Sequence, residues 1–251
     1  QIERALTRLA SSVSRALTVR MRITKHEHAC LRLEAEGKQL IIDPGSFTLP
    51  LSDLHGLAAI VITHEHPDHW TPEHLERLRR DAPGVPVYGT AGVAASAPDV
   101  IVVSPGDTVT AGPFTMTFHG GRHSVIHSSI PVIDNVGVLV NDAFYYPGDS
   151  YAVPANTEVD LLAAPIGAPW LKIGDAIDFV LAVKPRRAFG THDMTLSRVG
   201  LEMHRARLAW ATEQNGGEFV TLDPGESYEM LDDGCRGPAL GERAAAASVG
   251  V

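Results

Sequence analysis

The sequence predicts a mixed α/β layered domain, and three observations carry that reading. Short apolar segments of strand length alternate with longer segments of helical period, without a composition break or linker between Met21 and Met230. A hydrophobic content of 44% against 20% charged residues lets the 251-residue chain bury a sizeable core. The most chemically loaded stretch, residues 63–70, follows the apolar run of residues 58–62. It therefore leaves the end of a buried strand, where α/β proteins build their sites.

Taken in order, Ile2, Leu6, Leu9, Val13 and Leu17 recur at helical spacing among Arg4, Arg8 and Arg15, which is the pattern of an amphipathic helix. It lacks the long apolar run of a secretory signal and reads first as a docking or extension element, second as a membrane-surface helix. The expected organisation is an N-terminal extension over residues 1–20, one domain over 21–231 and a loosely ordered tail over 232–251. Strands are expected at 21–24, 29–33 and 39–42, with Glu36-Gly37 turning between the last two. Asp43-Pro44-Gly45-Ser46 is a turn. Thr71 and Pro72 open a helix as N-cap and first-turn residue. Short strands follow near Val87, Val100, Val109 and Phe114, and a hairpin through Asn141-Asp142 joins residues 137–140 to 143–146. A strand over 160–164, a helix over 174–183, a strand over 187–190, a helix over 197–213 and two closing strands complete the domain. Strands and helices fall into two similar halves that divide near residue 120.

Charge and cysteine usage narrow the function. The formal net charge of -9 argues against nonspecific nucleic-acid binding, which needs basic patches, and favours a small-molecule substrate. No apolar run reaches the length of a membrane span. Two cysteines far apart, Cys30 and Cys235, fit a reducing cytoplasm. A homo-oligomer is compatible with all of this.

The stretch Thr63-His64-Glu65-His66-Pro67-Asp68-His69-Trp70 packs three histidines and an aspartate into six positions. Imidazole and carboxylate are the ligands a borderline divalent metal takes, zinc first and manganese next. In extended backbone His64 and His66 point the same way and can chelate one ion, while Asp68 and His69, beyond Pro67, can turn toward a second. Further along, residues 119–127 offer His119, His123 and His127. Arg122 there is either a contact for an anionic group or a solvated loop residue. Trp170 and Lys172 follow a strand in an irregular loop; Trp170 reads equally as pocket wall or core anchor. Asp193 is either a partner orienting His192 or a helix N-cap.

His64-x-His66-x-Asp68-His69 resembles the signature of the metallo-β-lactamase superfamily, and the likeness runs from about residue 21 to 230. The resemblance implies a four-layer αββα sandwich and a dinuclear centre. It implies that His64, His66 and His123 hold one ion and that Asp68, His69 and His192 hold the other. Asp149 of Gly148-Asp149-Ser150 bridges them, and His123 ranks ahead of His127, then His119. Asp68 and His192 are the candidate catalytic residues, with Asp68 able to relay a proton. His28 and Asp43 are candidates for the layer behind the ligands, although Asp43 reads equally as a turn residue and His28 nearly as well as a surface histidine. Asp43-Pro44 and Gly148-Asp149-Ser150 look more like the branch containing L-ascorbate-6-phosphate lactonase than like antibiotic-degrading enzymes. The expected function is hydrolysis of a small ester, lactone or amide by a metal-activated hydroxide; the alternatives are a small-phosphodiester phosphodiesterase and a non-hydrolytic redox module.

Overall fold

A computed structural model describes residues 18–232. The expected N-terminal helix and most of the C-terminal tail lie outside the described residues. The first sheet has the order β14-β1-β2-β3-β4-β5-β6 and the second β13-β12-β11-β10-β9-β8-β7. The first comprises β1 (Thr18–Lys25), β2 (Leu31–Ala35), β3 (Lys38–Ile42), β4 (Leu57–Ile62), β5 (Val87–Gly89), β6 (Val100–Val102) and β14 (Ser227–Asp232). The second comprises β7 (Thr108–Ala111), β8 (Phe114–Gly120), β9 (Val136–Val140), β10 (Phe144–Tyr146), β11 (Leu161–Pro165), β12 (Arg187–Thr191) and β13 (Glu218–Phe219). Among the described residues four helices accompany them: α1 (Pro72–Asp81), α2 (Ala91–Ser96), α3 (Ile173–Val183) and α4 (Arg198–Glu213).

Alternation along each strand builds the layers. In β4, Ala59 and Val61 join the core shared by both sheets, while Ile60 and Ile62 face the core that holds Leu75 and Leu78 of α1 and Val93 of α2. In β11, Leu161 and Ala163 face the shared core, and Leu162 and Ala164 face Phe179 and Val180 of α3 and Leu208 of α4. Three apolar interfaces thus separate four layers, the αββα sandwich. Both strands are buried on two faces, which is why they read as continuous apolar runs.

The division into halves needs a correction. β7 and β8 belong to the second sheet, because β8 pairs antiparallel with β9 in the register Met116↔Val140. β14 returns to the first sheet and pairs with β1, Ile23 opposite Tyr228. The other elements lie within a few residues of where the pattern places them, but β1 begins at Thr18, inside the expected N-terminal extension, because it pairs along its length with β14. Asn141 and Asp142 both take positive φ in the β9–β10 turn, which leaves residues 141–143 between the paired Val140 and Phe144. Thr71 caps α1 by accepting the His74 N–H, and Ser197 caps α4 by accepting the Gly200 N–H.

Pairing direction decides where the site forms. β3, β4, β5 and β6 are mutually parallel, and β1 is antiparallel to β2, which is antiparallel to β3. β8 and β10 are each antiparallel to β9, and β10, β11, β12 and β13 are parallel. The C-terminal ends of β1, β3 and β4 in one sheet, and of β8, β10 and β12 in the other, therefore point one way within their sheet. The loops that follow them carry every histidine and aspartate of the cluster described next.

Candidate metal centre

Asp43, immediately after β3, organises the first half of the cluster. It is fully buried with φ +49°. Its carboxylate accepts the Thr63 N–H at 2.8 Å, the Thr63 hydroxyl at 2.7 Å, the His69 Nδ1–H at 2.7 Å and the Tyr146 hydroxyl at 3.0 Å. Four donors satisfy a buried charge and tie the end of β4, the ligand loop and β10 together. Gly45 lets this happen: a Cβ there would sit 1.8 Å from the Asp68 carbonyl oxygen. Only the absent side chain allows the turn after β3 to lie against the loop after β4.

The second half rests on Asp149, after β10. Its backbone N–H donates to Asn135 Oδ1 at 2.9 Å, and Asn135 Nδ2 donates to the Pro147 carbonyl at 2.9 Å. Gly148 has φ +60°, and a Cβ there would meet Asn135 Oδ1 at 2.4 Å. The Asp149 carboxylate faces inward and accepts the Trp170 indole N–H at 2.8 Å.

Four histidines are oriented alike, while His66 turns its Nδ1 toward His64 Nε2 at 3.2 Å. His69 Nδ1–H donates to Asp43, His123 Nδ1–H to the Ser124 carbonyl at 2.5 Å and His192 Nδ1–H to the Gly167 carbonyl at 2.6 Å. His64 Nδ1–H donates to Thr63 Oγ1 at 3.0 Å, whose own proton is given to Asp43. Each outward nitrogen is thus used as a donor, and each Nε2 is turned inward. Around Asp149, the Nε2 atoms lie at 3.2 Å for His69 and His192, 3.3 Å for His123 and 3.9 Å for His64. The Nε2 atoms of His69, His123 and His192 and Asp149 Oδ1 are buried without a hydrogen-bond partner. Convergent, buried, unpartnered nitrogen and oxygen atoms are what divalent ions would satisfy, so the residues fit the metal the sequence implies.

The ligand-capable atoms fall into three overlapping groups, each within 4.8 Å: His64, His66, His123 and Asp149; His69, Asp149 and His192; and His28, Asp68 and His192. Asp149 and His192 each belong to two. Burial alone would make His69 less basic, but Asp149 and Asp43 overcome it and hold the ring well above its usual value. The same opposition, with Asp149 the stronger side, raises His192 to about 9. Asp149 is held well below the carboxylate range against its burial by His69 and His192. His64 is pushed down, first by burial and then by His69.

His28 has a different place. Its Nδ1 accepts the Met194 N–H at 3.3 Å, so its Nε2 carries the proton and donates to Asp68 Oδ2 at 3.2 Å. Its carbonyl accepts the His192 N–H at 2.8 Å. His28 therefore clamps the loop after β12 to the loop after β1 and aims Asp68, with no lone pair left on the inward nitrogen.

Of the other sequence candidates, His127 is exposed and hydrogen-bonds Ser129 at 2.7 Å. Arg122 is exposed. The Lys172 side chain is 79% exposed and pairs with Asp175 at 3.6 Å. His119 packs edge-on against Tyr145 rather than entering the cluster. Trp170 is buried between Tyr151, His123 and His192. Asp193 takes neither expected part: it is buried and paired with the fully buried Lys25 at 2.9 Å, and Ser197 supplies the cap. Sequence reasoning missed Tyr146, Asn135, Thr63 and Lys25. Tyr146 meets Asp43 across 103 residues, a pairing no local spacing announces.

A sequence profile described as the Beta-lactamase superfamily domain matches residues 22–192. Protein Rv0786c of Mycobacterium tuberculosis is 37% identical over 213 residues, covering 82% of this chain and 98% of that protein. A UPF0173 metal-dependent hydrolase of Metallosphaera sedula is 25% identical over 81% of this chain and 96% of its own length. Igni18, described as a metallo hydrolase from Ignicoccus hospitalis, superposes with a TM-score of 0.64 at 18% identity, covering 84% of this chain and 99% of that one. With the four-layer sandwich and a His/Asp cluster at its strand ends, the chain belongs to the metallo-β-lactamase superfamily of metal-dependent hydrolases.

Proposed function

We propose that this hydrolase uses two divalent ions held between its sheets to cleave a small ester, lactone or amide. The observation that carries the reading is the convergence of four Nε2 atoms on Asp149, each with its Nδ1 committed to an oxygen behind it. His64, His66 and His123 would hold one ion and His69, His192 and Asp68 the other, with Asp149 shared. Zinc suits this nitrogen-rich set first, and manganese is compatible with it. Bound ions would supply a water ionised near neutral pH and polarisation of the carbonyl under attack.

The chain's own contribution is a division of labour among three carboxylates, set by exposure. Asp43 is fully buried and fully hydrogen-bonded, so it fixes rings rather than moving protons. The Asp149 side chain is 3% exposed and central, which suits a shared ligand. The Asp68 side chain is 26% exposed, faces His192 at 3.3 Å and is held by the His28 N–H. It alone of the three can meet both solvent and substrate, and it would accept the proton released on attack and return it to the leaving group.

The test is hydrolysis of a γ-lactone, a p-nitrophenyl ester and bis(p-nitrophenyl) phosphate by the full chain, before and after chelation and metal add-back. Chelator-sensitive cleavage of the lactone or ester ahead of the phosphodiester is expected. Preference for the phosphodiester would reassign the substrate class, and metal uptake without cleavage of any of the three would overturn the hydrolase reading.

A further inference from the structure

The loops that carry the cluster also carry a ring of exposed apolar side chains. Phe47 and Leu49 follow β3, Val125 and Ile130 follow β8, Val153 follows β10 and Met194 follows β12; their exposures run from 44% to 67%. Phe47 stacks edge-on against His28 with ring centroids 4.9 Å apart. Met194 gives its N–H to the same ring. Val125 adjoins Ser124, whose N–H donates to the Asp149 carbonyl. At the cluster itself Trp170 packs against Tyr151, ring centroids 5.3 Å apart, and against His123 and His192. Large side chains left in water from four separate loops, all at the ligand-bearing strand ends, mark a binding surface continuous with the cluster.

The six rim side chains carry no charge, so they suit an uncharged chain. Lys25 is buried and committed to Asp193, and Lys172 is committed to Asp175. Arg122 is exposed beside His123, on the loop after β8.

We infer that the substrate is an ester or lactone with an extended, uncharged apolar chain, which lies across Phe47 and Met194 beside His28 while its carbonyl enters the cluster. This rests on the hydrolase reading above and adds the part of the substrate that does not react. Full burial of a methylene gives about a fourfold gain in binding. A half-open rim predicts about a twofold gain in kcat/KM per methylene from acetate to octanoate in a p-nitrophenyl ester series. The double variant Phe47→Ser/Met194→Ser should lower the octanoate-to-acetate ratio about tenfold. Ile101→Ser, an exposed apolar residue on β6, should leave the ratio unchanged.

A parallel series of alkyl hydroxamates from two to eight carbons, followed by tryptophan fluorescence, reads the same rim without turnover. Tightening along the hydroxamates with no ester cleavage would sustain the rim and sink the hydrolase reading. Cleavage with a flat chain-length dependence, a ratio unmoved by the double variant, or faster turnover of phosphorylated esters would overturn the inference.

Discussion

The two sheets supply the cluster in different ways. The first gives His64, His66, Asp68 and His69 from one loop after β4, with Asp43 behind them. The second gives His123, Asp149 and His192 singly, from the ends of β8, β10 and β12. A contiguous loop is shaped by its own turns and one anchoring carboxylate. Scattered residues meet only if strand order and register are right across the whole sheet. The first half should therefore respond to loss of its anchor by degrees, and the second should fail at a single residue.

Asp149→Asn is the largest test of that contrast. It removes the charge that four rings share, so kcat should fall by about a thousandfold or more, equivalent to roughly 4 kcal/mol. Circular dichroism should stay unchanged, since the backbone N–H of Asp149 keeps its bond to Asn135. Asp43→Asn should be milder. It turns an amide toward donors that a carboxylate accepts, and loss of such a partner behind a ligand weakens metal affinity by about 10- to 100-fold. Competition against a fluorescent zinc chelator measures it. Equal losses in the two variants would erase the distinction between the halves.

Trp170→Phe should be smaller again, about a three- to tenfold loss in kcat/KM, because it removes one charged hydrogen bond while keeping most of the wall. The smallest effect lies outside the cluster. His26 is lowered to about 4, first by burial and then by the charge of Arg32. A base depressed in the folded state contributes stability that is complete above its unfolded value near 6.5 and is lost as pH falls toward 4. The thermal midpoint should fall between pH 7.5 and 5, and His26→Gln should flatten that part of the fall.

The same contrast explains what could be read from the chain. The metal loop declared itself because six consecutive positions hold four candidate ligands, three histidines and an aspartate, after an apolar strand. The elements themselves were legible from periodicity and capping, as at Thr71 and Ser197. Sheet membership was not, because the strands of a hairpin such as β7–β8 alternate in the same way whichever sheet they join. Among His119, His123 and His127, only the turn that commits His123 Nδ1 to the Ser124 carbonyl and brings its Nε2 to Asp149 separates one from the others. Asn135 and Tyr146 work through partners distant in sequence, and neither residue type signals such a task.

The central claim is that one carboxylate joins two ion sites, each fed by both sheets. Elemental analysis of chelator-free protein, wild type beside His66→Ala and His192→Ala, tests it most directly. About two ions per chain are predicted for wild type, and about one for each variant. A single ion per chain that either substitution abolishes would contradict the account.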